Sequence, residues 1–316
     1  MKKIMIVGGA GYIGGYLADY LNATNNSVLV YDNLVYENRY LKNVPFKHGD
    51  VRDSDSLKAA ISEWQPDTIV WLAALVGDGA CQVNPELTSE VNYESVKWIC
   101  DNYDGKIVFT STCSVYGMND DLITEEAKTN PLSVYASTKL MAEQYLIENK
   151  EDCLVFRLGT LFGLGDRHSR LRLDLVANIL TLKAVRGESL SVFGGEQWRP
   201  LLHVKDVARA ITHGISKDIS GLYNLHHKNF TIKELAEKIM QEVDKDGIIN
   251  YEEMPFEDLR NYRVSSESYR STGWYPRFNL ESGIKELAAI LSEGRIKDTS
   301  DSVYSNERFL KELSNV

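Results

Sequence analysis

Five short apolar runs rich in β-branched residues, 4–7, 28–31, 68–72, 106–110 and 154–157, alternate along the chain with longer stretches of helical period. Such alternation predicts a parallel sheet with right-handed crossovers and helices on both faces. Between the first two runs Ile13, Leu17 and Leu21 recur every four residues, one stripe of a helix that packs on the sheet. The expected class is α/β, a doubly wound parallel sheet with a smaller mixed α/β lobe. The rhythm blurs at Gly163-Leu164-Gly165 and a charged segment, 166–174, before a helical stretch at 175–182. A buried run at 222–225 reads as a strand returning to the first sheet. The expected division is 1–165 for the sheet domain, with a return segment near 204–230, and 166–203 plus 231–316 for the second lobe. The final stretch, 293–316, is polar and rich in both charges, and reads as a solvated helix or tail.

A length of 316 residues suits two lobes and buries a core without disulfides or metal. The net charge of −10 disfavours a reader of nucleic acid, which needs clustered cations. Hydrophobic content of 43% and charged content of 25% are those of an ordinary soluble domain. Cys81, Cys100, Cys113 and Cys153 have neither metal-site spacing nor a disulfide framework, so buried free thiols and no metal are expected. No apolar stretch reaches the length of a membrane span, and the first residues lack a signal pattern. The expected location is the cytoplasm.

Gly8-Gly9-Ala10-Gly11-Tyr12-Ile13-Gly14 leaves the first strand and opens the first helix. There, backbone N–H groups and the helix dipole favour a dinucleotide's pyrophosphate. Asp32, about 20 residues on, closes the second strand where an acid accepts hydrogen bonds from a ribose diol. The bland alternative is a turn whose glycines serve packing. A carboxylate at Asp32 repels a 2′-phosphate and its neighbour is Asn33 rather than arginine, so NAD is expected over NADP. Asp50, in His48-Gly49-Asp50-Val51, is placed to reach an adenine amino group or to cap the next helix.

Tyr135 and Lys139 stand four apart, one turn along one face of a helix. A phenol with a pKa near 10 is a poor base at neutral pH, and lowering it about three units takes roughly 4 kcal/mol. A cation about 4 Å away at an effective dielectric of about 20 supplies that much. YxxxK alone is common on solvated helices; its weight comes from the glycine bend upstream. Residues 109–117, FTSTCSVYG, carry a strand into a hydroxyl-rich loop where Thr112 can bond a substrate oxygen, although a plain polar turn reads the same way.

Together these residues make the chain resemble the extended short-chain dehydrogenase/reductases, specifically the NAD-dependent epimerase/dehydratase group acting on nucleotide-sugars. The further matches are Leu72-Ala73-Ala74, Asn92, Tyr116 four residues after Thr112, and residues 198–208, WRPLLHVKDVA. The resemblance implies a Rossmann domain binding NAD through Gly8, Gly11, Tyr12, Ile13, Gly14, Asp32, Asn33, Asp50, Val51, Leu72, Ala73, Ala74, Asn92, Tyr135 and Lys139. It implies Tyr135 as acid/base, Lys139 lowering its pKa and holding the nicotinamide ribose, and Thr112 aligning the sugar hydroxyl. Thr112, Cys113, Ser114, Tyr135, Asn178, Arg199 and Arg263 are the expected substrate contacts, with Arg260 a further candidate for the diphosphate. His203 is expected to buttress the fold, and His168 is a weaker substrate candidate.

In the family's 4,6-dehydratases the threonine precedes Asp-Glu; here Cys113-Ser114 follows Thr112, which disfavours dehydration. The 3,5-epimerising relatives carry cysteine where Ser114 stands. The expected reaction is oxidation at a sugar carbon, usually C4, with net epimerisation; the alternatives are a 4-dehydrogenase or 4-ketoreductase, and a silent NAD-binding sensor. The family also leads to the expectation of a homodimer.

Overall fold

The computed structural model describes residues 1–37, 39–166, 168, 170–253, 261–294 and 296–314. From the amino terminus run β1 (Lys3–Val7), α1 (Gly14–Asn22), β2 (Ser27–Asp32), β3 (Phe46–His48), α2 (Ser54–Trp64) and β4 (Thr68–Trp71). Next come α3 (Asp78–Val83), α4 (Pro85–Ser89), α5 (Ser95–Asn102), β5 (Lys106–Thr112), β6 (Met118–Ile123), α6 (Val134–Asn149) and β7 (Cys153–Leu158). The second half holds β8 (Thr160–Phe162), α7 (Val176–Val185), β9 (Leu190–Phe193), β10 (Trp198–His203), α8 (Val204–Ser216), β11 (Gly221–Leu225) and β12 (Lys228–Thr231). It closes with α9 (Ile232–Val243), β13 (Ile249–Glu252), β14 (Asn261–Val264), α10 (Glu267–Arg270), α11 (Leu280–Ser292) and α12 (Asn306–Ser314).

Among the described residues, seven strands form one sheet in the order β11-β7-β5-β4-β1-β2-β3. Every pairing in it is parallel. Burial on both faces explains the unbroken apolar runs: Ile4, Met5, Ile6 and Val7 have no exposed surface. On one face Ile4, Ile6 and Val30 pack with Leu17 and Leu21 of α1 and Val207 and Ile211 of α8. On the other, Met5, Tyr31 and Phe109 pack with Leu57 of α2, Ile99 of α5 and Ala142 of α6. Chain order reverses between β1 and β4, which opens a crevice at their carboxyl ends.

The run at 222–225 lies at the sheet edge, with Leu222 opposite Val155. β8, β10 and β12 form a small sheet beside it, and β9 with β13 another. Two expectations need correction. Tyr269 and Trp274, assigned to the second lobe, pack in the core beneath the main sheet; the Tyr269 ring meets Phe156 edge-on at 4.9 Å. The segment after 293 is not simply a solvated tail. A 3₁₀ turn, Ser302–Tyr304, leads into α12, whose Leu310 is buried with Leu75, Ala80 and Cys81. All four cysteines are free and buried.

Candidate active site

A cavity of about 870 Å3 opens at the carboxyl ends of β1, β4 and β5 and continues between the main sheet and α7. Its floor is the glycine bend. Gly8 turns the chain at φ +81°, and a Cβ there would be driven into the backbone of Ala73. At Gly14 a Cβ would lie 2.5 Å from the Cα of Gly9, so α1 starts hard against the bend. Gly8, Gly11, Tyr12, Ile13 and Gly14 all line the cavity, and Leu72, Ala73 and Ala74 form the facing wall.

Asp32 stands at the end of β2 on the cavity wall, accepting N–H bonds from Ala10 at 3.0 Å and Leu34 at 2.8 Å. Burial pushes its carboxyl up, opposed by those two donors. Asn33, Asp50 and Val51 line the same end. Burial would raise the Asp50 carboxyl as well, but bonds from Arg52 and Asn33 outweigh it and bring it down to about 2. Asp50 does not cap the next helix; Asp53 does, accepting from the Ser56 N–H at 3.0 Å. The open bend, the acid beside it and the helix start fit a dinucleotide. So does Ser111, whose buried hydroxyl lacks a hydrogen-bond partner on the cavity wall.

Tyr135 and Lys139 face the cavity from the first turns of α6, which Ser133 caps by accepting from the Ala136 N–H at 3.1 Å. Burial raises the Tyr135 phenol above its ordinary range; the Thr112 hydroxyl bonds it and opposes the rise. Burial also lowers the Lys139 ammonium to about 7, with Cys81 and Glu143 opposing. The expectation that Lys139 lowers the tyrosine therefore needs qualification. With protein groups alone around it, the phenol is protonated at neutral pH because desolvation outweighs the Thr112 hydrogen bond and the Arg172 charge.

Thr112, Ser114 and Arg199 line the cavity. The Thr112 hydroxyl also accepts the Ser114 N–H at 3.1 Å, and Ser114 Oγ lies 3.3 Å from the Tyr262 hydroxyl. Four expected contacts do not line the cavity. Cys113 is fully buried behind the wall, its thiol donating to the Arg157 carbonyl. Asn92, in a π-helical turn, accepts the Leu75 N–H at 2.8 Å and donates to the Leu75 carbonyl at 2.9 Å, so it holds the wall from behind. Asn178 accepts the Gly163 N–H and donates to the Arg172 carbonyl and the Tyr12 hydroxyl. Arg263 donates to the Asp120 carbonyl and stacks over Trp198, away from the cavity.

Arg260 lies outside the described residues. His168 is exposed and does not line the cavity. His203 caps α8, accepting the Lys205 N–H, and burial lowers it to about 3. Sequence reasoning missed Arg170, Arg172 and Asp174, which line the cavity, and the α12 residues Asn306 and Leu310. Nothing local marks them, although Phe309, Leu310 and Leu313 do form an apolar stripe at helical spacing.

Comparison with known proteins agrees with this geometry. A sequence model of the NAD dependent epimerase/dehydratase family matches residues 4–225. The dTDP-glucose 4,6-dehydratase of Escherichia coli is 29% identical, covering 89% of this chain and 91% of its own. The UDP-glucose 4-epimerase of Halalkalibacterium halodurans is also 29% identical, covering 87% of this chain and 91% of its own. The solved structure of the Thermus thermophilus UDP-glucose 4-epimerase in complex with NAD superposes with a TM-score of 0.79 at 25% identity, covering 93% of this chain and all of that one. With more than half its length matched, this chain belongs to the NAD dependent epimerase/dehydratase family.

Proposed function

We propose that this enzyme oxidises and re-reduces C4 of the hexose in a nucleotide-sugar, with net inversion there. The single observation that carries the reading is the convergence of Tyr135, Lys139 and Thr112 on the cavity whose floor is the glycine bend. The hydride acceptor is supplied by NAD when it is bound, and its oxidised ring adds positive charge beside the phenol. Tyr135 takes the proton of the C4 hydroxyl and returns it, while Thr112 holds that hydroxyl in line. Lys139 holds the nicotinamide ribose, Asp32 the adenosine ribose, and the N–H groups of the bend the pyrophosphate. Arg199, 6% exposed and on the wall, suits the sugar's diphosphate.

The two positions after Thr112 favour epimerisation over dehydration. Cys113 is sealed behind the wall with its thiol pushed up by burial, and Ser114 is no acid. Neither supplies the proton transfers that eliminating water requires. The test is proton NMR of UDP-glucose and dTDP-glucose incubated with the enzyme and NAD in excess over the sugar. The C4 epimer is expected; a stable keto-sugar with stoichiometric NADH would replace this reading with a dehydrogenase, and a 6-deoxy-4-keto product with a dehydratase.

The same reading includes a homodimer in the cytoplasm. Met141 and Ile147 are each 44% exposed on α6, apolar side chains that a second copy could cover, and four free thiols suit a reducing compartment. Light scattering is expected to give twice the chain mass. No helix among the described residues is long and apolar enough to cross a membrane.

A further inference from the structure

The cavity is roofed by the carboxyl-terminal strap, residues 301–314. Ser305, Asn306, Glu307, Leu310 and Leu313 line it. Asn306, 3% exposed, ties the strap to both banks. Its amide donates to the Val76 carbonyl, beyond β4, at 2.7 Å. On the other bank its backbone N–H donates to Asp174 at 2.9 Å, and its side-chain oxygen accepts from Arg170. Arg170 also donates to the Val303 carbonyl at 2.5 Å, and the Leu173 N–H donates to the Tyr304 carbonyl at 3.0 Å.

A third anchor reaches the segment that follows Asp32. The Arg170 guanidinium stacks 3.8 Å from the Tyr36 ring, and Tyr36 packs against Phe309 at 4.9 Å. The seating is close: the Glu307 carboxylate fills the space a Cβ at Gly79 would take. Leu310 joins the apolar cluster against which Tyr135 packs, so the strap borders the reacting group as well as the cofactor walls.

We infer that the strap is a clasp that retains the dinucleotide through turnover, with Asn306 and Arg170 as its positioning residues. The inference rests on the reading of this cavity as a dinucleotide site. An epimerase must hold its reduced cofactor until the hydrogen goes back to the sugar. A roof bonded to both banks and to the segment beyond Asp32 opposes departure without touching the chemistry. Release then requires the Asn306 and Arg170 bonds to part together, so the two residues should act as one unit.

The test is stopped-flow displacement of bound NADH by excess ADP-ribose, read by nicotinamide fluorescence. It compares the full chain with Asn306→Ala, Arg170→Ala, their double variant and a chain ending at Ser300. The expected result is release faster by about tenfold in each single variant, the worth of a buried hydrogen bond to a charged partner. The double variant is expected to release little faster than either single one, with melting temperatures near that of the parent. Release within twofold of the parent in Asn306→Ala would overturn the inference, and that variant decides the matter if the shortened chain does not fold. The readout is independent of the sugar. A chain that makes a keto-sugar sinks the epimerase reading without altering the release rates, whereas a full chain that does not bind NADH overturns both.

Discussion

The Lys139 ammonium lies 3.9 Å from the centre of the Phe109 ring, which joins the first turns of α6 to the strand that carries Thr112. A lysine 2% exposed keeps its charge at a cost, because burial takes the ammonium out of water. The ring face offsets part of that cost. Its lowered value, about 7 against an ordinary 10.5, sets the sign of a pH effect. Between those values the unfolded chain binds the proton and the folded chain does not, so this group makes stability rise with pH across that window. Below about pH 7 the full cost is present. Lys139→Met is therefore expected to melt several degrees above the parent at pH 6, with the gap shrinking towards pH 10, while turnover falls by about 10²–10⁴-fold. Melting curves at three pH values check it; a gap that widens as pH rises would contradict the sign.

Asp32 prepares the ribose site through the Ala10 and Leu34 N–H groups it accepts. Asp32→Ala is expected to weaken NAD binding by about tenfold or more, the worth of one charge-assisted hydrogen bond, and to narrow the preference over NADP by removing the repelling charge. Titration calorimetry with both dinucleotides measures it.

Cys113 faces Arg157 rather than the cavity. Cys113→Ala is expected to leave kcat and KM within about twofold of the parent and to cost stability only, since it removes buried atoms behind the wall. Steady-state kinetics with a melting curve separate the two effects.

Arg157 and Glu143 form a buried pair between β7 and α6, with the guanidinium Nε 3.0 and 3.1 Å from the two carboxylate oxygens. The same guanidinium reaches the Tyr116 hydroxyl at 2.7 Å. Arg157→Met leaves the Glu143 carboxylate buried without its partner, at an expected cost of about 3–5 kcal/mol. Chemical denaturation measures the loss, and the double variant Arg157→Met with Glu143→Leu is expected to recover most of it.

Legibility in the sequence followed the range of the interactions. The glycine bend, Asp32 and the Tyr135 and Lys139 pair are local patterns, and each lines the cavity. The five apolar runs fall within β1, β2, β4, β5 and β7, apart from Leu72, which lies one residue past β4. Asn92, Asn178 and Arg263 have the right chemistry for a ligand, yet each bonds a backbone group outside its own element: Leu75 for Asn92, Gly163 for Asn178 and Asp120 for Arg263. Residue type does not reveal that competition. The strap looks solvated in local sequence for the same reason: Asn306 answers to Val76, 230 positions away, and a window of local sequence contains neither its partner nor its burial.

The account turns on Tyr135 moving a proton at C4 while the hydrogen of that carbon leaves and returns within one closed site. A nucleotide-hexose carrying deuterium at C4, incubated with the enzyme, catalytic NAD and unlabelled NADH in solution, tests it directly. The prediction is a C4 epimer that keeps its deuterium at C4, with the Tyr135→Phe variant slower by about 10²–10⁴-fold. An epimer that has lost the label to the solvent or to free cofactor, or a Tyr135→Phe variant as fast as the parent, would contradict it.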